Sequence, residues 1–169
     1  MASSPTPAKR SVYLETSIVG HLTSRLSRDL VTAGHQELTQ EWWETERRQF
    51  DLYISALVVD EAAGGQPDEA AKRLAALEGV RELDLNEECR RLARELLSRH
   101  AMPEEAATDA LHVATAAVNG MNFLLTWNCA HMANAERRQA IEDTCRENGY
   151  EPPRICTPEE LMGERPCQT

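Results

Sequence analysis

The chain lacks any apolar run near the ~20 residues that a bilayer crossing needs. Its first ten residues, MASSPTPAKR, have no apolar segment of the kind that directs secretion. A cytoplasmic protein is the expectation. The five cysteines, Cys89, Cys129, Cys145, Cys156 and Cys167, form no CxxC pair and have no histidine at zinc-finger spacing. An odd count without such pairs argues against a disulfide framework and against a structural zinc site, and leaves reduced thiols. An excess of basic charge is missing too: the formal net charge is −10, which counts against broad, non-specific nucleic-acid binding. An enzyme acting on nucleic acid is still open to an acidic chain if its acids converge on divalent cations, because the bound ions reverse the local field. Internal repeats, glycine-rich phosphate loops and low-complexity tracts are also absent.

What is present fits one domain. A length of 169 residues with 41% hydrophobic content supports one sizeable core and leaves little room for a second. The expected limits are a disordered lead-in over residues 1–10, a domain over 11–162 and a tail over 163–169. The richest stretch is TDALHVATAAVNGMNFLLTWN, Thr108 to Asn128. Small and apolar residues recur at helical spacing, Asn119-Gly120 ends the helix, and Phe123-Leu124-Leu125 reads as a buried strand. A helix feeding a fully apolar strand points to a parallel sheet with helices on both faces, whose ligands lie beyond the carboxyl ends of the strands.

Other units repeat this logic. Ser11–Leu14 and Asp51–Ser55 read as strands, and Val80–Leu85 and Arg154–Cys156 as weaker ones. Helices are expected from Ser27 to about Arg48 with Leu30, Ala33, Leu38 and Trp42 inward, and over Ala56–Ala63, Gln66–Leu77, Asn86–His100 and Ala135–Glu147. One of Trp42 and Trp43 should enter the core, since neighbouring helix positions diverge by about 100°. Pro103 is read as the start of the organising helix, which puts Asp109 beyond the reach of an ordinary cap, with solvent or His112 as its simplest partner.

Four polar residues then share one sheet edge: Glu15 after the first strand, Glu61 on the helix after the second, Asp109 on the helix before Phe123, and Asn128 after Leu125. Each has an ordinary explanation. Glu15 can be an acid at a helix start with Thr16 or Ser17 capping, and Glu61 can be a solvated helix face. Clustered, the three carboxylates repel one another and resist desolvation, so a site of three acids and an amide calls for cations. All-oxygen ligation favours magnesium or manganese over zinc.

These stretches resemble the PIN-domain ribonucleases and, within them, the VapC-type toxins of toxin–antitoxin systems. The resemblance rests on YLETSIV from Tyr13, SALVVDE ending at Glu61, DALHVATA from Asp109 and LLTWN ending at Asn128, and covers about residues 11 to 160. It implies a three-layer α/β/α domain around a parallel sheet of four or five strands that cuts RNA with Mg2+ or Mn2+. It further implies Glu15, Asp109 and Glu61 as metal ligands, Asn128 as a fourth catalytic residue, Thr16 and Thr126 as support, a homodimer, and a cognate antitoxin. The main departure is Glu15, where the family usually has Asp, one methylene shorter. Two other readings of the same residues are a non-catalytic PIN-fold module that binds RNA or protein, and a PIN nuclease of RNA processing with no antitoxin. For RNA contact the basic candidates are Arg25, Arg28, Lys72 and Arg73.

Overall fold

The computed structural model describes residues 8–163, so the expected tail, apart from Gly163, and most of the expected lead-in lie outside the described residues. The first strand takes up the end of that lead-in: β1 is Arg10–Leu14, followed by α1, Thr16–Thr23, and α2, Leu30–Thr45. Then come β2 (Phe50–Ser55), α3 (Ala56–Ala62), α4 (Pro67–Ala76), β3 (Arg81–Leu83) and α5 (Glu87–Ser98). The chain closes with α6 (Ala107–Val118), β4 (Phe123–Leu125), α7 (Ala135–Glu147) and β5 (Arg154–Cys156).

All pairings are parallel, and the five strands lie in the order β3-β2-β1-β4-β5. Such a sheet needs a crossover for each strand and is covered on both faces. This accounts for the fully buried β4, Phe123-Leu124-Leu125, and for Val12, Tyr13 and Leu14 at the centre of β1. Val12 pairs with Phe123 and Leu14 with Leu125. The ladder runs one step further, since the Glu15 amide donates to the Leu125 carbonyl and the Thr126 amide to that of Cys156, each across its strand's end.

Local sequence fixes where the helices stop. Asn119 ends α6, Gly120 takes φ +69°, and the amides of Gly120 and Met121 donate to the carbonyls of Ala117 and Ala116. This is the Schellman closure, and Asn148-Gly149 repeats it after α7. The Thr157 and Glu160 pair caps reciprocally, Thr157 N–H to Glu160 Oε2 and Glu160 N–H to Thr157 Oγ1, though it opens only a short 3-10 turn, Glu159–Leu161.

Three expectations are corrected. The long helix does not start at Ser27; α2 begins at Leu30 with Asp29 as its cap, and Leu30 faces solvent, 88% exposed, while Trp42 is fully buried and Leu38 packs partly buried against the core. At 100° per residue Leu30 lies about 180° around the helix from Thr39, so it faces away from the buried stripe of Gln36, Thr39 and Trp42. Trp43 packs at the rim beneath the Arg47 guanidinium, 4.5 Å from the ring centre. The helix placed from Pro103 is split into a 3-10 turn, Glu104–Ala106, and α6 from Ala107. That puts Asp109 in the first turn of α6, where the helix dipole favours an acid, and removes the reason for treating it as out of reach of the helix start.

Candidate active site at the carboxyl edge of the sheet

Glu15 is the residue between β1 and α1, in extended backbone at φ −79°, and occupies the cap position of α1. Its carboxylate does not cap the helix. It is buried, 7% exposed, and Oε2 accepts from Ser17 Oγ at 2.5 Å and from Thr126 Oγ1 at 2.8 Å. A buried carboxylate satisfied by hydroxyls, with no salt bridge among the described residues, leaves its charge uncompensated. Thr126 also accepts from the Asn128 amide, and Ser17 Oγ accepts from the Trp127 amide. The turn after β4 is thus tied to the turn after β1.

Glu61 comes from the far end of α3 and, like its neighbour Asp60, is exposed. Glu61 Oε2 accepts from Thr16 Oγ1 and faces His112 Nε2 at 2.9 Å. His112 is fully buried and its Nδ1 lies 2.8 Å from the Tyr13 hydroxyl, which lies 2.8 Å from Ser55 Oγ. The directions follow from donor chemistry. A carboxylate only accepts, so Nε2 carries a proton; in the neutral ring Nδ1 then accepts from Tyr13, and the Tyr13 oxygen accepts from Ser55. Burial pushes the Tyr13 phenol well above its usual range, which keeps that donor protonated. For Glu61, burial acts to raise the carboxyl, but the hydrogen bonds from His112 and Thr16 outweigh it and the net shift is downward. Every donor in this buried chain points at Glu61.

Oxygen or nitrogen atoms of Glu15, Glu61 and His112 lie within 4.8 Å of one another. Asp109 is not in this group. Its Oδ2 sits 2.8 Å from His131 Nδ1, so its protein partner is His131 and not His112. His131 was missed in the sequence because it lies 22 residues beyond Asp109 in a loop without periodicity. The usable signal was its place three residues after Asn128, whose Oδ1 accepts from the His131 amide at 3.0 Å. Asn128 therefore shapes the loop that brings His131 to Asp109; its own carbonyl accepts from Met132 and Ala133. Tyr13 and Ser55 were read only as strand residues, and their hydroxyl chain became visible only with β1 and β2 paired. Of the four basic candidates, Lys72 pairs with Glu69, and Arg73 is spent on the Ala62 and Gly64 carbonyls. Arg25 and Arg28 are exposed and form no salt bridge among the described residues.

Beside the carboxylates lies an aromatic cluster. Trp127 is 9% exposed, its indole N–H donates to Thr39 Oγ1 at 2.7 Å, and the His35 ring stacks on it at 4.0 Å and 11°. His21 lies 5.7 Å from His35 and 6.2 Å from Trp127 between ring centres, and its Nδ1 lies 2.8 Å from the Ser17 carbonyl.

No curated protein matches the chain in sequence. Among solved structures, a VapBC2 assembly from Rickettsia felis bound to a DNA fragment from their promoter is similar in fold at 15% identity, with a TM-score of 0.57 over 87% of this chain and 98% of that one. VapC20 from Mycobacterium tuberculosis, a toxin that cleaves the sarcin-ricin loop, aligns at 19% identity and a TM-score of 0.51 over 67% of this chain and 86% of that one. The PIN domain family model matches residues 12–128, from β1 through the loop that carries Asn128. With its match spanning Glu15, Glu61, Asp109 and Asn128 on one parallel α/β sheet, the chain belongs to the PIN-domain family.

Proposed function

We propose that the chain is a divalent-metal-dependent endoribonuclease of the VapC toxin type. The observation that carries this reading is the pairing of a buried, uncompensated Glu15 with Glu61 at the carboxyl edge of a PIN-family sheet. The donor set fits a hard cation: two carboxylates face each other with hydroxyl donors behind them, and the imidazole in the group has its Nε2 proton committed to Glu61. Glu15 and Glu61 would hold the ion, with Asp109 and Asn128 at the mouth. When bound, such a cation supplies positive charge against the negative charge that builds on a phosphodiester under attack.

The chain's own residues do the rest. Ser17 and Thr126 fix one carboxylate, and Thr16 with the Ser55-Tyr13-His112 chain fixes the other, so both are held before substrate arrives. His131, held 2.8 Å from the Asp109 carboxylate, is a half-buried ring at this edge. His112 cannot join it as an acid–base pair, because both of its nitrogens are engaged and it is fully buried. Attack by the RNA's own 2′-hydroxyl, which uses such a pair, therefore cannot draw on His112 as its second group.

The expected products carry a 5′-phosphate and a 3′-hydroxyl, and cleavage stops with EDTA. Mapping product ends from single-stranded and structured RNA with Mg2+, Mn2+ and chelator tests this. Cyclic phosphate ends formed in chelator overturn it, and absence of cleavage with every cation favours a binding module. A cognate antitoxin and a homodimer belong to the same reading, and the similarity to a VapBC2 assembly supports the first. A small antitoxin gene beside this one separates a toxin from a processing nuclease.

A further inference from the structure

We infer that His35, stacked on Trp127 and flanked by His21, is a stacking platform for an unpaired nucleobase of the RNA next to the scissile phosphate. The inference rests on the nuclease reading and adds a binding subsite to it. Its first support is position. Trp127 stands between Thr126, which touches Glu15, and Asn128, while its amide donates to the same Ser17 hydroxyl that donates to Glu15. The platform and the carboxylates are thus joined through one side chain.

The second support is order among the rings. Trp127 is nearly covered and anchored by Thr39, whereas His35 and His21 are only half-buried, so the stack begins in the core and ends at the surface. A base laid on His35 would continue a parallel stack that already has 11° between planes. Stacking of this kind accepts any base, because each has a π face.

The third support is rigidity with charge nearby. Gln36, next to His35, is buried; its amide nitrogen donates to Ser24 Oγ and the Arg25 carbonyl, and its oxygen accepts from the Ser27 amide. These bonds pin the turn between α1 and α2, which carries the exposed Arg25 and Arg28 beside the platform. Phosphates flanking a stacked base would find their cations there, in a chain whose overall charge is −10. Burial, with His21 as the next contribution, holds the His35 ring below the usual histidine range against the opposite pull of Asp29 and Glu159. A neutral ring stacks without an ionic partner.

The test uses the whole chain with Ca2+ in place of Mg2+ and an eight-nucleotide single-stranded RNA, read by tryptophan emission. Quenching that disappears in Trp127→Phe is expected on binding. His35→Ala should weaken binding about tenfold, and His35→Phe, which keeps an aromatic face, should restore it. In RNAs carrying one abasic position each, the His35→Ala penalty should vanish at a single position and persist at the others. A structural role would weaken all of them alike. Equal binding by parent, His35→Ala and His35→Phe overturns the inference, as does a penalty independent of the missing base. If the parent cleaves RNA with Mg2+ and His35→Ala leaves KM unchanged, the platform fails and the nuclease stands. If the abasic pattern appears without cleavage by any cation, the nuclease fails and the platform stands.

Discussion

At the scale of single residues, the site is a question of which carboxylate is held by what. Glu15 and Glu61 were legible as strand-end and helix-face acids, because a period of two along β1 and a turn and a half along α3 fix where they land. Their partners were not. Thr126 and Glu15 are separated by 111 residues and His112 and Tyr13 by 99, so only the pairing of β1 with β4 and the packing of α6 bring them together. Asp109 was legible as an unusual acid, and its tie to His131 was hidden in a loop. The buried chain behind Glu61 makes a prediction of its own. Tyr13→Phe keeps the ring in the core but removes the donor to His112 Nδ1 and the acceptor for Ser55. Leaving a buried nitrogen without a partner costs about 1–3 kcal/mol. Urea unfolding should show a loss of that size with an unchanged m-value. A Tyr13→Phe protein as stable as the parent would mean that a water replaces the hydroxyl and that the chain does not hold His112.

Elements were more legible than contacts, and the reason is that their signals are local. Alternation and apolar runs marked every strand, and Asn-Gly pairs marked the ends of α6 and α7. The failures came where two signals compete. Pro103 is a good helix start, yet Glu104–Ala106 tightens to a 3-10 turn before α6 begins. Leu30 looks like the first residue of an inward stripe, but the 100° step per residue puts it about 180° around α2 from the buried Thr39. Gly120 tests the termination of α6 directly. It sits at φ +69°, and a methyl group there would meet nothing within 4 Å, so only the left-handed backbone opposes a side chain. Gly120→Ala should therefore destabilise by about 1 kcal/mol, read as a lower urea midpoint. Gly120→Asn should cost less, since asparagine tolerates this conformation better. Equal losses for both would point to a clash that the open space around Gly120 rules out.

For the whole molecule, one core serves both faces of the sheet, and the thiols show how far it is closed. Composition indicated five reduced cysteines; Cys89, Cys129, Cys145 and Cys156 are free, and Cys167 lies outside the described residues. What composition could not tell is which are shut in: Cys89, Cys145 and Cys156 are buried and Cys129 is exposed beside Asn128. Burial pushes the Cys145 and Cys156 thiols up to about 12, and Cys89 in the same direction. A thiol whose pKa is higher in the folded state than in the unfolded one adds stability that is intact below the unfolded value, near ~8.5, and is lost as pH rises toward the folded value. The unfolded chain releases these protons first, so alkali favours it. At pH 10 each of the Cys145 and Cys156 thiols should withdraw up to about 2 kcal/mol relative to pH 7. The raised Tyr13 phenol extends the loss further into alkali. The urea midpoint should hence fall steadily between pH 8 and 10, and Cys145→Ala with Cys156→Ala should flatten that fall although both changes lower stability at pH 7. At neutral pH an aromatic disulfide reagent should label Cys129 within seconds to minutes and the three buried thiols only as the fold opens. Rapid labelling of Cys145 or Cys156 without unfolding would show that the helical layer over β4 and β5 opens independently of the sheet, and the steep alkaline limb would then belong to that layer alone.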